Sequence, residues 1–443
     1  MSTMPVSLFS SAIYSGLFAD DQLVDLLDDA SDIAAMVAFE RALAKVQGEL
    51  GVIPAEAAQR VAQKLDQVTV DPVSLKSGTQ SAGIPVPALV SELRNHVGDE
   101  DGQWIHWGAT SQDVMDTAQV LQTKACLDIL EARLRNLVDR LEAQSNAFSK
   151  VIMAGRTRSQ ISTPITLGYR IAQWAHPLID AEAALSALKK TALIVQFGGA
   201  SGINGAIAPN GSSVSSKLAE ELGLQDSPSW HSNRSSVLSL AAWLQQICAA
   251  LAKMAGDLVL MGRTDIAEVS AGIGGGSSTM PQKANPVQAE TILVLNQIAI
   301  NAQTGLATAA SPVEERDGAK WPLEWMFLPQ MLIATGVALR HAQVLADSIQ
   351  PNPENLKATL AANPEIMAEA ASFILAKNGI ARTQTKELVA KAAASDRPFA
   401  DALGDLSTLE IDWQAALDLQ EAVDPSRAMS ARIFARRQLQ DEN

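Results

Sequence analysis

The chain has 443 residues, with 34 Lys and Arg against 49 Asp and Glu, and a formal net charge of −15. Apolar residues make up 47%, which excludes a disordered chain. The acidic balance excludes a nucleic-acid surface, since phosphate binding needs a basic patch. Cys126 and Cys248 are too few and too far apart for a disulfide scaffold or a thiolate zinc site, and read as two buried thiols in a reducing compartment. The length fits two or three domains.

The elements follow in chain order. No Lys or Arg precedes Arg41, so the basic start of a secretory signal is missing and a cytoplasmic location is expected. Aromatics are 4%, and Ala, Leu, Gln and Glu are abundant, which favours helix over sheet. Helix starts are expected near Ser31, Thr110, Pro164, Ser232, Pro286 and Pro322, because Ser, Thr and Pro suit a first turn. Leu127, Leu130, Leu134, Leu137 and Leu141 mark a helical seam with charges between its positions, so part of that helix meets water. The run Ala192–Phe197 is ambiguous between strand and helix, and no convincing alternating strand is found. Val237, Leu240, Leu244, Ile247, Leu251, Met254, Leu258 and Met261 repeat with steps of 3 and 4, the seam of a long packed helix. Ala241, Ala242, Ala249 and Ala250 make that helix apolar nearly all round, so burial on several sides is expected. Gln245, Gln246, Lys253 and Asp257 interrupt it as a membrane span. The Pro351–Asn352–Pro353 cluster ends the long-helix region. The expected organisation is all-α: an N-terminal helical domain over 1–109, a central helical bundle over 110–350 and a C-terminal helical domain over 351–443.

The sharpest local feature runs from Gly272 to Pro286, Gly-Ile-Gly-Gly-Gly-Ser-Ser-Thr-Met-Pro-Gln-Lys-Ala-Asn-Pro. Glycines allow positive φ and expose backbone N–H groups that can meet an anion. Lys283 and Asn285 add a cation and an amide beside the next helix start, which itself favours negative charge. A bare Gly/Ser loop is more often a flexible surface linker. The spacing is not that of a Walker loop, and no Gly-x-Gly-x-x-Gly follows a strand, so a dinucleotide enzyme is unsupported.

The whole string resembles the signature of the fumarase/aspartase/argininosuccinate–adenylosuccinate lyase superfamily, Gly-Ser-Ser-x-Met-Pro-x-Lys-x-Asn-Pro. Two further segments resemble that superfamily in the same chain order. One is Trp104-Ile-His106-Trp-Gly-Ala-Thr110-Ser111-Gln-Asp113. The other is Gly155-Arg156-Thr157-Arg158-Ser-Gln160-Ile-Ser-Thr-Pro164. The resemblance implies a three-domain helical subunit and a homotetramer, with each active site built from three segments of three subunits. It also implies chemistry without metal or organic cofactor. In most of these lyases the fourth residue of the second segment is a proton-handling His. Here it is Arg158.

That departure resembles the bacterial 3-carboxy-cis,cis-muconate cycloisomerase branch. So do Gln196–Gly202, Trp230-His231-Ser-Asn-Arg234, Glu315–Trp325 and the opening Leu17-Phe18-Ala-Asp20. The implied reaction is lactonisation of 3-carboxy-cis,cis-muconate, in the protocatechuate branch of the β-ketoadipate pathway. A carboxylate oxygen adds to the diene and the neighbouring carbon gains a proton. The nucleophile belongs to the substrate, so positioning does much of the work. A trianion needs several cations and donors, and the resemblance places Lys283, Asn285, Arg156, Arg234, Thr110 and Ser111 there. Thr157, Gln160, Ser278 and Met280 complete the expected binding set, and Arg158 would supply charge where relatives carry His. Ser277, by its place in the signature and with catalytic help from Lys283 and the loop N–H groups to shift its pKa, and His106, by its ordinary pKa, are the candidates for moving the proton. The alternatives are an adenylosuccinate-lyase-like elimination and a non-catalytic helical scaffold.

Overall fold

The computed structural model describes residues 7–276, 279–280 and 283–441. Helices of eight residues or more run α1 (Asp29–Glu49), α2 (Ala55–Leu65), α3 (Val86–Val97) and α4 (Ser111–Ala147). A hairpin follows, β1 (Ile152–Thr157) and β2 (Gln160–Thr166), then α5 (Leu167–Ala192), α6 (Gly211–Leu222) and α7 (Ser235–Met261). Short strands β3 (Val269–Ser270), β4 (Gly275–Gly276) and β5 (Ala284–Asn285) lead to α8 (Val287–Ala309) and α9 (Pro322–Asp347). The chain ends with β6 (Gln350–Pro351), α10 (Pro353–Ala361), α11 (Ala368–Lys377), α12 (Arg382–Ala393), α13 (Phe399–Leu406) and α14 (Asp424–Asp441). At 37 residues, α4 is about 55 Å long.

Two compact units are formed. The first comprises Met1–Arg133, Ala184–Cys248 and Val294–Leu339. Its core holds Met36, Phe39 and Leu43 of α1, Leu89 and Leu93 of α3, Ile105, and Leu127 and Leu130 of α4, all shielded from solvent. The second comprises Leu134–Ala183, Ala249–Leu293 and Arg340–Asn443. Within it, Ile366, Met367, Leu375, Val389, Phe399, Leu403 and Trp413 form an apolar cluster that joins α11, α12 and α13. The boundaries fall inside α4, α5, α7, α8 and α9, so each unit contains part of each of these five helices.

The expected seams are the buried faces. Leu127 through Leu141 are fully buried at every position of the repeat, and Val237 through Met261 are all 6% exposed or less. Burial of α7 on several sides is not what one chain shows. Leu238, Ala242, Ala249 and Leu260 lie exposed along a second face, and Leu293, Val294 and Ile300 are exposed on α8. By length and hydropathy α7 and α9 could each cross a membrane, but 56% and 61% of their most apolar stretches are buried inside the protein. Both cysteines are buried, and burial pushes Cys126 up to about 12 and Cys248 up to about 11. Cys248 Sγ lies 3.4 Å from Thr335 Oγ1.

The hairpin was not expected from the sequence. β1 and β2 pair antiparallel from Ile152↔Thr166 to Thr157↔Gln160, with a bulge between Ala154 and Arg156. The two-residue turn is Arg158–Ser159, with φ of 51° and 64°. Two successive left-handed residues give the twist a tight hairpin needs, but Gly, Asn or Asp usually occupy them. The ambiguous run after α5 is extended, with Ile194 forming an isolated bridge to Gln225.

Gly168 lies where the hairpin passes into α5, and a Cβ there would stand 2.3 Å from the Ser145 carbonyl oxygen and 3.0 Å from the Ser149 backbone. Backbone cannot swing away as a side chain can. Gly168→Ala is therefore expected to destabilise the protein by about 1–3 kcal/mol, read as a lower urea midpoint. An unchanged midpoint would show that this approach has slack.

Candidate active site

The first segment turns into α4 around one carboxylate. Asp113 Oδ1 accepts from Gly198 N at 2.9 Å and His231 Nε2 at 2.8 Å. Its Oδ2 accepts from Gly199 N at 2.9 Å and Thr110 N at 3.0 Å. The last contact is half of a capping box, an acidic residue in the first turn reaching back to the preceding backbone. Asp113 is fully buried, so these donors replace the water it has lost. Thr110 and Ser111 are half-buried at the mouth of the helix. Arg316 adds a tie, with Nε 3.0 Å from Gln112 Oε1 and Nη2 3.2 Å from the Ala200 carbonyl.

His106 precedes this turn with φ of 65°. Its Nδ1 lies 2.6 Å from Glu40 Oε1, and its backbone N–H donates to Glu40 Oε2 at 3.0 Å. Burial pulls the imidazole pKa down, but the Glu40 charge and hydrogen bond outweigh it, and the value is raised above the ordinary 6.5. Trp107 is exposed and packs against Trp104, with ring centroids 4.9 Å apart.

Arg234 lies in the same unit, and its guanidinium is already committed. Nη1 meets Asp116 Oδ2 at 2.7 Å, Nε meets Glu324 Oε1 at 2.8 Å, and Nη2 donates to Glu324 Oε2. The cation stacks 4.4 Å from the Trp230 ring centre. Trp321 Nε1 donates to Asp116 Oδ1 at 2.9 Å. Burial alone would lower the Arg234 pKa, but the two carboxylates raise it, so the group stays charged. Burial raises the Glu324 pKa, and Arg234 opposes that rise. The expectation that Arg234 grips a substrate directly thus meets a guanidinium 3% exposed and held by two protein carboxylates. A cavity of about 590 Å³ in this unit, lined by Gly202, Asn204, Ser215, Asp226 and Ser229 among others, includes no residue of the three segments.

The other two segments lie in the second unit. Arg156 makes a two-pronged ion pair with Glu268, with both contacts at 2.7 Å, and this ties the hairpin to the stretch before the glycine loop. Glu268 is fully buried. Arg170 sits in the same electrostatic environment, and burial lowers its pKa. Thr157, Arg158 and Gln160 are exposed around the hairpin turn. β4 pairs with β5 in the register Gly275↔Asn285 and Gly276↔Ala284, which brings the two ends of the glycine loop together. Asn285 is half-buried on β5, while Lys283 and Met280 are exposed. Among the described residues, neither Lys283 nor Arg158 has an ion-pair partner. Ser277 and Ser278 lie outside the described residues. No group of three or more His, Cys, Asp or Glu placed to hold a metal occurs among the described residues.

The candidates therefore fall into two groups. His106, Thr110, Ser111 and Arg234 belong to the first unit, and Arg156, Thr157, Arg158, Gln160, Met280, Lys283 and Asn285 to the second. Sequence reasoning assigned no role to the carboxylates that set their geometry: Glu40, Asp113, Asp116, Glu268 and Glu324. Asp113 was visible as a motif position, but its four donors come from segments far apart in sequence.

These features define an all-α enzyme subunit of the fumarase/aspartase type. A family model described as Lyase matches residues 12–303, and the chain belongs to that family. It is 35% identical over 384 residues to the 3-carboxy-cis,cis-muconate cycloisomerase of Bradyrhizobium diazoefficiens, covering 84% of each chain. It is 33% identical to the enzyme of the same name from Acinetobacter baylyi, covering 83% of each. The crystal structure of 3-carboxy-cis,cis-muconate lactonizing enzyme from Pseudomonas putida superposes with a TM-score of 0.87 at 28% identity, over 97% of this chain and 100% of that one.

Replacing Arg234 by Met would leave Asp116 and Glu324 buried and uncompensated. A loss of about 3–5 kcal/mol is expected, seen as a lower urea midpoint. A variant as stable as the parent would show that this cluster does not hold the first unit together.

Proposed function

We propose that the chain catalyses the cycloisomerisation of 3-carboxy-cis,cis-muconate to a carboxymuconolactone. The observation that carries the reading is that His106 is the one imidazole in the three segments, while Arg158 stands at the tip of the hairpin where a proton-handling His would sit in most relatives. The reading is supported by the likeness to cycloisomerases over most of the chain.

In the forward direction a substrate carboxylate oxygen bonds to a diene carbon, and the π pair moves to the neighbouring carbon, which takes a proton. Carboxylic acids of ordinary pKa are ionised at neutral pH. The substrate is then a trianion and the lactone a dianion, so each turnover consumes one proton. His106 is assigned proton delivery, with Ser277 the other candidate. Lys283, Arg158, Asn285, Thr110 and Ser111 are assigned to the carboxylates, together with Thr157, Gln160, Ser278 and Met280. Charge grows on the carboxylate beside the protonated carbon, and donors fixed there lower the barrier most. Arg156 and Arg234 act by holding their segments in place through Glu268 and through Asp116 and Glu324.

The active site is assigned to a homotetramer, each site drawing its three segments from three subunits of a cytoplasmic enzyme. The exposed apolar faces of α7 and α8 support this, because Leu238, Leu260, Leu293, Val294 and Ile300 otherwise meet water. Leu260→Glu is expected to shift sedimentation toward smaller species and to lower activity with it. A variant that stays fully assembled would remove Leu260 from the contact.

The reaction is tested by loss of diene absorbance with 3-carboxy-cis,cis-muconate, followed in an unbuffered pH-stat. One acid equivalent per substrate is expected. Turnover of adenylosuccinate with fumarate release instead would mark an elimination enzyme. Inactivity on both would favour the scaffold reading.

A further inference from the structure

Glu40 lies 66 positions before His106 and meets it twice. One oxygen takes the ring nitrogen Nδ1 and the other takes the backbone N–H. The Glu40 side chain is fully buried, and the His106 side chain is 18% exposed. Among the described residues, Nε2 of His106 makes no hydrogen bond.

We propose that Glu40 is the positioning carboxylate of His106: it fixes the imidazole with a hydrogen on Nδ1 and leaves Nε2 as the nitrogen that passes a proton to the substrate. The identity of the substrate rests on the cycloisomerase reading. The tautomer and its cause do not.

Three observations converge. A carboxylate can only accept, so a 2.6 Å contact with Nδ1 requires the hydrogen on that nitrogen. The second contact fixes the backbone where the chain is left-handed, a conformation that a residue with a side chain keeps only where its surroundings enforce it. Both oxygens of one buried carboxylate are thus spent on a single residue, which sets the ring plane as well as its tautomer. The arrangement follows the general rule that the partner on one imidazole nitrogen decides what the other can do.

The proton balance is then explicit. Imidazolium donates from Nε2 to the carbon beside the new C–O bond. The ring returns to neutral with Nδ1–H still on Glu40, and water restores the lost proton. The charged groups facing the ring are Glu40 from α1, Asp113 from α4 and Arg94 from α3. The two carboxylates favour imidazolium, while Arg94 and burial oppose it, and the balance lies above the ordinary value. A general acid must be protonated, so activity falls as pH rises through this raised value. Removing the Glu40 charge moves that limb to lower pH.

The chain has five histidines, so ¹⁵N-histidine labelling gives a small set of signals, with His106 assigned by its loss in His106→Gln. The neutral ring of the wild-type protein is expected as the Nδ1–H tautomer. In Glu40→Gln the titration midpoint is expected to fall by about one unit or more, with the alkaline limb of kcat moving in step. Glu40→Asp should restore part of the shift, which a purely structural clamp would not require. An Nε2–H tautomer in the wild-type protein, or an unmoved midpoint in folded Glu40→Gln, overturns the assignment. Should Glu40→Gln fail to fold, the wild-type tautomer decides alone. The expected tautomer and shift in a protein that does not turn over 3-carboxy-cis,cis-muconate would uphold Glu40 and overturn only the substrate reading.

Discussion

The carboxylate of Asp113 gathers the first unit's candidate site. Four donors reach its two oxygens: the backbone of Thr110, the backbones of Gly198 and Gly199, and the ring of His231. The first fixes where α4 begins. The next two pin the loop after α5 against that start. The fourth carries the stretch that leads into Arg234 and α7. A carboxyl group this deeply buried is tolerated only when its hydrogen-bonding capacity is filled. Each of the three stretches therefore depends on the other two being present. Asp116, one turn further along α4, repeats the device with Arg234 and Trp321.

This use of buried charge recasts how an acidic protein could hold a trianion. A net charge of −15 makes long-range attraction unhelpful, so the cations must act locally. Four were in view from the sequence. Arg156 and Arg234 turn out to be bound by Glu268 and by Asp116 with Glu324. These ion pairs tie down the hairpin and the start of α7. Arg158 and Lys283 are the exposed pair, each on a turn or loop. Under the proposed function, neutral donors such as Asn285 and Thr110 share substrate recognition with them. Such donors add no net charge and can be fixed in position before substrate arrives.

The long helices were legible because their seams repeat over many turns. Val237 to Met261 shows the spacing plainly, and every one of those positions is buried. The hairpin was not legible. Its turn is Arg158–Ser159, and neither residue announces the left-handed backbone it adopts. The three segments were readable as motifs, but their carboxylate partners were not. Glu40 lies 66 residues from His106, and Glu268 lies 112 from Arg156, distances at which local pattern carries no information. Glu40 also sits in an ordinary helical stretch, where a charged residue usually faces water. Only tertiary packing shows that it points inward.

The two cysteines have a practical consequence. Both thiols are buried, and burial holds each far from ionisation at neutral pH. Thiol reagents attack the thiolate, so the natural chain is close to silent toward maleimides while folded. A cysteine introduced on an exposed turn would be the one reactive sulfur of the subunit. The protein thus accepts a single spectroscopic reporter without first being stripped of its own cysteines. The hairpin tip and the rim of the glycine loop could then be followed in the intact enzyme as ligand arrives.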